Sequence, residues 1–124
     1  MRVTGLDHLV LNVADVERSL AYYRGVLGLE GERVEEWRQG QVLFPSVRID
    51  AGTIIDLLEA PREGENLNHL CLVLTRADWD EAVQHPDIEI TGGPAELFGA
   101  RGMGTSIYTR DPDGNTVELR HYGD

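Results

Sequence analysis

The sequence contains no lysine, and all eleven of its basic residues are arginine. The absence of lysine excludes Schiff-base chemistry on a lysine amine and the phosphate-binding lysine of nucleotide-binding loops. Only one cysteine, Cys71, is present, which excludes an internal disulfide, and we expect the protein to occupy a reducing, cytoplasmic environment. Chemistry carried out by this chain must therefore use a metal, carboxylates, tyrosine or arginine.

Long apolar runs are also lacking. No stretch approaches the ~20 consecutive apolar residues of a membrane span, and we expect neither a leader peptide nor a membrane partner. The formal net charge of -11 would be repelled by phosphates, so we expect no nucleic acid partner either. With 124 residues, 41% of them hydrophobic and 27% charged, the chain is predicted to form one globular domain, 1–124.

The sequence contains an internal repeat. The sequence predicts two equivalent strands with the same pattern of residues, at 7–11, Asp-His-Leu-Val-Leu, and at 68–72, Asn-His-Leu-Cys-Leu. Each run is followed, at nearly the same distance, by a second matched strand, at 54–58 and at 116–120. Each copy therefore carries a histidine near its start and a carboxylate near its end, which is the arrangement that a metal site built from both copies would need.

The repeat predicts two modules, residues 1–60 and 67–124, joined by a polar linker over 61–66. In each module one strand is followed by a helix and then by three further strands, and Asp15 and Gly28 bound the first helix. The predicted strands are 6–13, 33–37, 42–49, 53–58, 68–74, 88–90 with 95–98, 106–109 and 116–121, and the predicted helices are 16–27 and 77–84.

Strand alternation places the ionisable side chains on one face of each predicted sheet. If Leu9 and Leu11 pack on the helix, His8 points to the other face of the sheet. The same argument gives this orientation to Asp56, His69 and Glu118. A buried ionised carboxylate is costly unless it is paired or binds a metal. Two imidazoles with one or two carboxylates suit a divalent first-row cation, with open positions for water or substrate.

Each of these residues also has an ordinary interpretation. A single strand histidine is more often a hydrogen-bonded residue of the core or surface, so the metal hypothesis depends on the repeat. Asp56 has a shorter side chain than Glu118, and it is either a ligand or a hydrogen-bond partner of a histidine N–H. Tyr108 either packs in the sheet or contacts substrate. Arg120 either binds an anionic substrate or pairs with a neighbouring acid.

Two segments of the chain resemble the vicinal oxygen chelate superfamily, which includes glyoxalase I, bleomycin-resistance proteins and extradiol dioxygenases. They are residues 5–29, which begin Gly-Leu-Asp-His-Leu-Val-Leu, and Ser106–Leu119, which contains Asp-Pro-Asp-Gly-Asn-Thr-Val-Glu-Leu. The resemblance implies an α+β fold in which two tandem βαβββ modules form a cupped mixed sheet. It also implies a homodimer with metal sites shared between the chains.

The same resemblance implies a set of site residues. It places the metal ligands at His8, His69 and Glu118, with Asp56 where some members have a fourth ligand. Two imidazoles and a carboxylate accept Fe, Mn, Co, Ni or Zn, so the metal is not specified further. Asp56 and Tyr108 are the candidate catalytic proton carriers, and Arg120 is the candidate substrate-binding residue.

The motifs do not select one reaction. Residues 107–114 resemble the extradiol dioxygenase motif, but 99–102 lack the histidine expected there. Fosfomycin-resistance enzymes use a lysine, which is absent, and glyoxalase I has glutamate where Asp56 stands. We therefore expect a metal-dependent enzyme of the glyoxalase or dioxygenase type, acting on a small substrate that chelates the metal through adjacent oxygens. The alternative is a metal-free protein that binds a small molecule, as bleomycin-resistance proteins do.

Overall fold

A computed structural model describes residues 6–99 and 101–124 of the chain. The chain divides into two compact units, Met1–Asn66 and Leu67–Asp124. The strands are β1 His8–Val13, β2 Glu30–Glu32, β3 Ser46–Asp50, β4 Thr53–Glu59, β5 Leu70–Val73, β6 Glu89–Gly99, β7 Gly102–Arg110 and β8 Thr116–His121. The helices are α1 Val16–Leu20, which continues as the π-helical segment Ala21–Val26, α2 Val34–Arg38 and α3 Arg76–Gln84.

Each unit forms its own four-stranded mixed sheet, and the two sheets have the same topology. The strand order is β1-β4-β3-β2 in the first unit and β5-β8-β7-β6 in the second. The parallel pairs are β1 with β4 and β5 with β8, and the other neighbours are antiparallel. The predicted α+β class with two tandem modules is thereby confirmed.

The predicted strand over Arg33–Trp37 is wrong, because this segment is helix α2. Arg33 turns the chain with a φ of 57°, and Val34 is buried while Glu35 is exposed. The guanidinium of Arg38 bonds Glu35 one turn earlier at 2.7 Å, a contact that helical spacing permits. The missing strand is β2, whose Glu-Gly-Glu sequence has little strand preference and is ordered by pairing with β3.

Other predicted boundaries also differ from the structure, and the strand predicted over 42–49 begins only at Ser46. The first helix does begin after the N-cap Asp15, which accepts a hydrogen bond from the Arg18 N–H at 3.1 Å. However, it becomes π-helical over Ala21–Val26. It ends before Gly28, whose φ is 74°. The two predicted runs 88–90 and 95–98 belong to the single strand β6, whose register shifts between them allow it to pair continuously with β7.

The core of each unit lies between a helix and one face of its sheet. On β1, Leu11 and Val13 are buried while His8 is exposed, as the alternation predicted. On β8 the apolar residues Val117 and Leu119 are fully buried. None of the helices in the described ranges combines the length and apolar character needed to cross a lipid bilayer.

Candidate functional site

The two modules place a histidine and a carboxylate at equivalent positions. On the parallel pair β1 and β4, Asp56 lies opposite Val10, two residues after His8. On the parallel pair β5 and β8, Glu118 lies opposite Cys71, two residues after His69. The register of the repeat is therefore the same at both predicted half-sites, although the carboxylates differ in length.

In the second module the structure brings three predicted residues together. The Nε2 atom of His69 lies 3.8 Å from Oε2 of Glu118. Glu118 is only 5% exposed, whereas 41% of the His69 side chain is accessible. Tyr108 lies directly opposite Glu118 on β7, and its ring is 6.0 Å from the His69 ring in an edge-to-face arrangement. An accessible imidazole thus stands beside a buried carboxylate and a phenol.

The first module provides the matching pair, His8 and Asp56. Asp56 is 6% exposed, and its Oδ1 accepts a hydrogen bond from the Ser46 hydroxyl at 2.5 Å. About half of the His8 side chain is accessible. The pKa of His8 is raised mainly by its hydrogen bond to Asp7, and the negative charge of Asp56 adds to this effect.

Each histidine is oriented by the residue that precedes it. The Nδ1 atom of His8 lies 2.7 Å from Oδ1 of Asp7, and Nδ1 of His69 lies 2.6 Å from Oδ1 of Asn68. Because these oxygens are acceptors, Nδ1 is the donor, and Nε2 of a neutral ring carries the lone pair that binds metals. Asp7 and Asn68 were not predicted as site residues, although the repeat puts both directly before a histidine.

Arg120 is one of the most deeply buried side chains among the described residues, with 2% exposure. Its guanidinium donates to Oε1 of Glu118 at 3.3 Å, to the Ser106 hydroxyl at 3.0 Å and to the Tyr122 hydroxyl at 3.2 Å. Of the two interpretations given to Arg120, pairing with a neighbouring acid is the one visible here. Its role in binding substrate stays a prediction.

Cys71 lies beside the same carboxylate. The pKa of its thiol is raised to about 12, first because the surrounding protein desolvates the sulfur and then because the thiol donates a hydrogen bond to Glu118. The sulfur is therefore protonated at neutral pH. In this state Cys71 is a hydrogen-bond donor to Glu118.

The donor chemistry of these residues fits a divalent cation. A neutral imidazole Nε2 and a carboxylate oxygen are the ligands that first-row metals accept, and each module supplies one of each. Within the described part of the chain, no group of three or more His, Cys, Asp or Glu side chains is assembled for a metal ion. Each module by itself therefore supplies a pair of potential ligands.

Comparison with known proteins identifies the class to which this fold and these residues belong. The chain is a member of the Glyoxalase/Bleomycin resistance protein/Dioxygenase superfamily, whose sequence profile matches residues 5–119. The resemblance noted from the two sequence motifs is confirmed.

Particular relatives cover nearly all of the chain. Virulence protein STM3117 of Salmonella typhimurium is 32% identical over 126 residues, which include 98% of this chain and 87% of the relative. Its crystal structure has a TM-score of 0.76, at 30% identity, and the match covers 98% of this chain and 99% of that one. A protein from the mobile metagenome of V. Pseudocholerae has a TM-score of 0.79 at 30% identity, with 100% and 98% covered.

More distant structures share the fold alone. TnmS3, an antibiotic-binding protein from Streptomyces sp. CB03234, has a TM-score of 0.70 at 21% identity, with 98% of each chain covered. Lactoylglutathione lyase from Agrobacterium tumefaciens has a TM-score of 0.65 at 20% identity, with 98% of this chain and 96% of that one covered. Since a binding protein and a lyase share this fold, the fold does not choose between binding and catalysis.

Proposed function

We propose that this protein is a metal-dependent enzyme of the glyoxalase or dioxygenase type. In this proposal a divalent cation is held by His8, His69 and Glu118, and the small substrate binds it through adjacent oxygens. The observation that carries the proposal is the repeated pairing of a histidine, oriented through Nδ1 so that Nε2 can bind a metal, with a buried carboxylate at the same strand register.

A bound divalent cation would polarise the substrate oxygens and stabilise negative charge that develops on them. In this proposal Asp56 and Tyr108 carry out proton transfer. Ser46 holds Oδ1 of Asp56, so the carboxylate has a fixed orientation from which Oδ2 can accept a proton. Tyr108 stands beside His69 and opposite Glu118, where its hydroxyl can donate a proton or a hydrogen bond to substrate.

A metal-free small-molecule-binding protein is the competing function. The observation in its favour is a pair of exposed apolar side chains near the site histidines. Val10 is 47% exposed and lies on β1, the strand that carries His8, and Val73 is 54% exposed and lies on β5, the strand that follows His69. Exposed apolar side chains beside polar groups are typical of sites that bind apolar organic molecules. This function requires no metal, so metal content separates it from the enzyme hypothesis.

The test is the metal content of the purified protein after reconstitution with Fe(II), Mn(II), Co(II), Ni(II) or Zn(II). We expect about one ion per chain with at least one of these metals, since each site needs ligands from both halves of the repeat. His8→Ala, His69→Ala and Glu118→Gln should each reduce the bound metal. His85→Ala is the matched control and should leave it unchanged, because the Nδ1 of His85 accepts the N–H of Asp87 at the end of α3.

The metal proposal would be abandoned if the wild type stayed substoichiometric with every metal while His69→Ala changed nothing. If such a protein nevertheless bound apolar organic molecules, and binding fell in a Val10→Ser or Val73→Ser variant, the binding function would replace it.

A further inference from the structure

The buried guanidinium of Arg120 requires an explanation of its own. Taking a charged group out of water is costly unless hydrogen bonds and an opposite charge compensate. At 2% exposure Arg120 is almost entirely removed from solvent. A residue whose only task was to meet an incoming anion would not need to be enclosed in this way when no ligand is bound.

Two hydroxyl groups hold Arg120 from outside the predicted site. Ser106 on β7 accepts the Nε–H at 3.0 Å, and Tyr122, just beyond β8, accepts from Nη1 at 3.2 Å. Tyr122 is itself held, because its hydroxyl accepts the backbone N–H of Arg101 at 3.2 Å and the Arg101 guanidinium stacks on its ring at 4.5 Å. The orientation of the Arg120 fork is therefore set by neighbours that are not themselves candidate metal ligands.

The remaining nitrogen of the fork determines the orientation of Glu118. Nη2 of Arg120 donates to Oε1, whereas Oε2 is the oxygen that faces Nε2 of His69 at 3.8 Å. The two oxygens of one carboxylate thus have different partners. A rotation of the carboxylate plane away from this orientation would lengthen the contact with Arg120.

We propose that Arg120 is a positioning residue for Glu118. Anchored by Ser106 and Tyr122, it retains Oε1 and presents Oε2 alone on the His69 side. The significance of this arrangement for metal binding rests on the proposed function, in which Oε2 is a ligand. The positioning itself is a property of the metal-free protein and can be measured there.

Lysine cannot replace arginine in this role. The proposal needs three donors in a fixed planar fork, directed at two hydroxyls and a carboxylate, and an ammonium group is a compact charge without that geometry. Arg120→Lys therefore keeps the charge and removes the positioning. Ser106→Ala and Tyr122→Phe each remove one anchor and leave both Arg120 and Glu118 in place.

The first experiment is NMR of the metal-free protein, which observes the Arg120 side-chain N–H groups and the Glu118 carboxyl carbon. We expect slowly exchanging Arg120 resonances in the wild type. Ser106→Ala and Tyr122→Phe should accelerate their exchange and shift the Glu118 carboxyl signal. The matched control is Thr75→Val, which removes a hydroxyl of the same unit that accepts the Asp78 N–H at 3.2 Å at the start of α3, and should leave both signals unchanged.

The second experiment is Co(II) binding followed by its visible spectrum, which reports the coordination of the ion. Arg120→Lys should weaken Co(II) binding about tenfold or more and change the spectrum, as loss of a group that orients a ligand does. Ser106→Ala and Tyr122→Phe should produce smaller changes in the same direction, and Thr75→Val should produce none.

The outcomes separate this inference from the proposed function. If the wild type binds none of the five metals but the NMR signals respond as described, the enzyme proposal fails and the positioning stands. If the wild type binds Co(II) and Arg120→Lys leaves the affinity and spectrum unaltered, the positioning is refuted. It is equally refuted if Thr75→Val perturbs the Glu118 carboxyl as strongly as Ser106→Ala does.

Discussion

Asp7 and Asn68 each lie next to a histidine whose Nδ1 atom they bind. The ligand candidates themselves were predictable, because a repeat of residue type at matched positions can be seen in the sequence. The Nδ1 contacts were harder to predict, since they depend on the side-chain rotamers of both partners and a strand neighbour normally points to the opposite face. The same holds for Ser46, which becomes relevant only when the register places it opposite Asp56.

Replacement of Asn68 by alanine should remove the hydrogen bond that fixes the tautomer of His69. Without the acceptor at Nδ1, the neutral ring can carry its proton on either nitrogen, and Nε2 is available to a metal for only part of the time. Long-range proton–nitrogen NMR of the metal-free protein should show the Nδ1–H tautomer of His69 in the wild type and a mixture in Asn68→Ala. Asn68→Asp keeps the acceptor and should keep the tautomer, and His85 serves as the internal reference. An unchanged tautomer in Asn68→Ala would show that Asn68 does not set it.

At the scale of elements, local patterns predicted the strands next to the site better than the segment between α1 and β3. The alternation of β1 is visible in the sequence, and β8 has the predicted bounds of Thr116 to His121. Helix α2 was missed because its five residues are too few to show helical periodicity, and contacts with distant residues stabilise it. The buried side chain of Val34 makes such contacts, and an exposed ion pair joins Arg38 to Glu17 on α1 at 2.7 Å.

Packing should stabilise α2 more than its surface ion pairs do. Val34 is the buried residue of this helix, so Val34→Ala should lower the free energy of unfolding by about 2 kcal/mol. Arg38→Ala removes the exposed pairs with Glu17 and Glu35 and should produce little change, because solvent screens such pairs. Urea denaturation followed by circular dichroism measures both. A larger loss in Arg38→Ala than in Val34→Ala would show that ion pairs hold the helix in place.

At the scale of the whole molecule, the two modules are built to one plan and carry different residues at equivalent positions. Sequence reasoning could find the plan, because the repeat appears in the order of residues. It could not show which side chains contact Asp56 and which contact Glu118. Asp56 is held by a serine hydroxyl, whereas Glu118 is held by an arginine and a cysteine, and these differences arise from side chains that meet only in the folded sheets.

A hybrid of two defective chains can test whether metal sites are shared within a homodimer. We propose such sharing, with His8 of one chain joining His69 and Glu118 of the other. A dimer of one His8→Ala chain and one His69→Ala chain would then have one intact site and one site lacking both histidines. Co-expression with two affinity tags, followed by metal analysis, should recover about half of the wild-type metal in the hybrid and little in either parent. If each site lies within one chain, the hybrid should bind no more metal than the parents.

The common strand register of the two modules also has a consequence for how this chain can change. Asp56 and Glu118 occupy equivalent backbone positions, as do Ser46 and Tyr108, so the chain carries two different residues at each of these positions. An internal repeat of this kind provides two versions of each candidate site position. One module can keep the long carboxylate that an arginine holds, while the equivalent position of the other module accepts a shorter carboxylate or one with fewer hydrogen bonds. Substitutions in one half can therefore alter specificity while the other half keeps its existing residues.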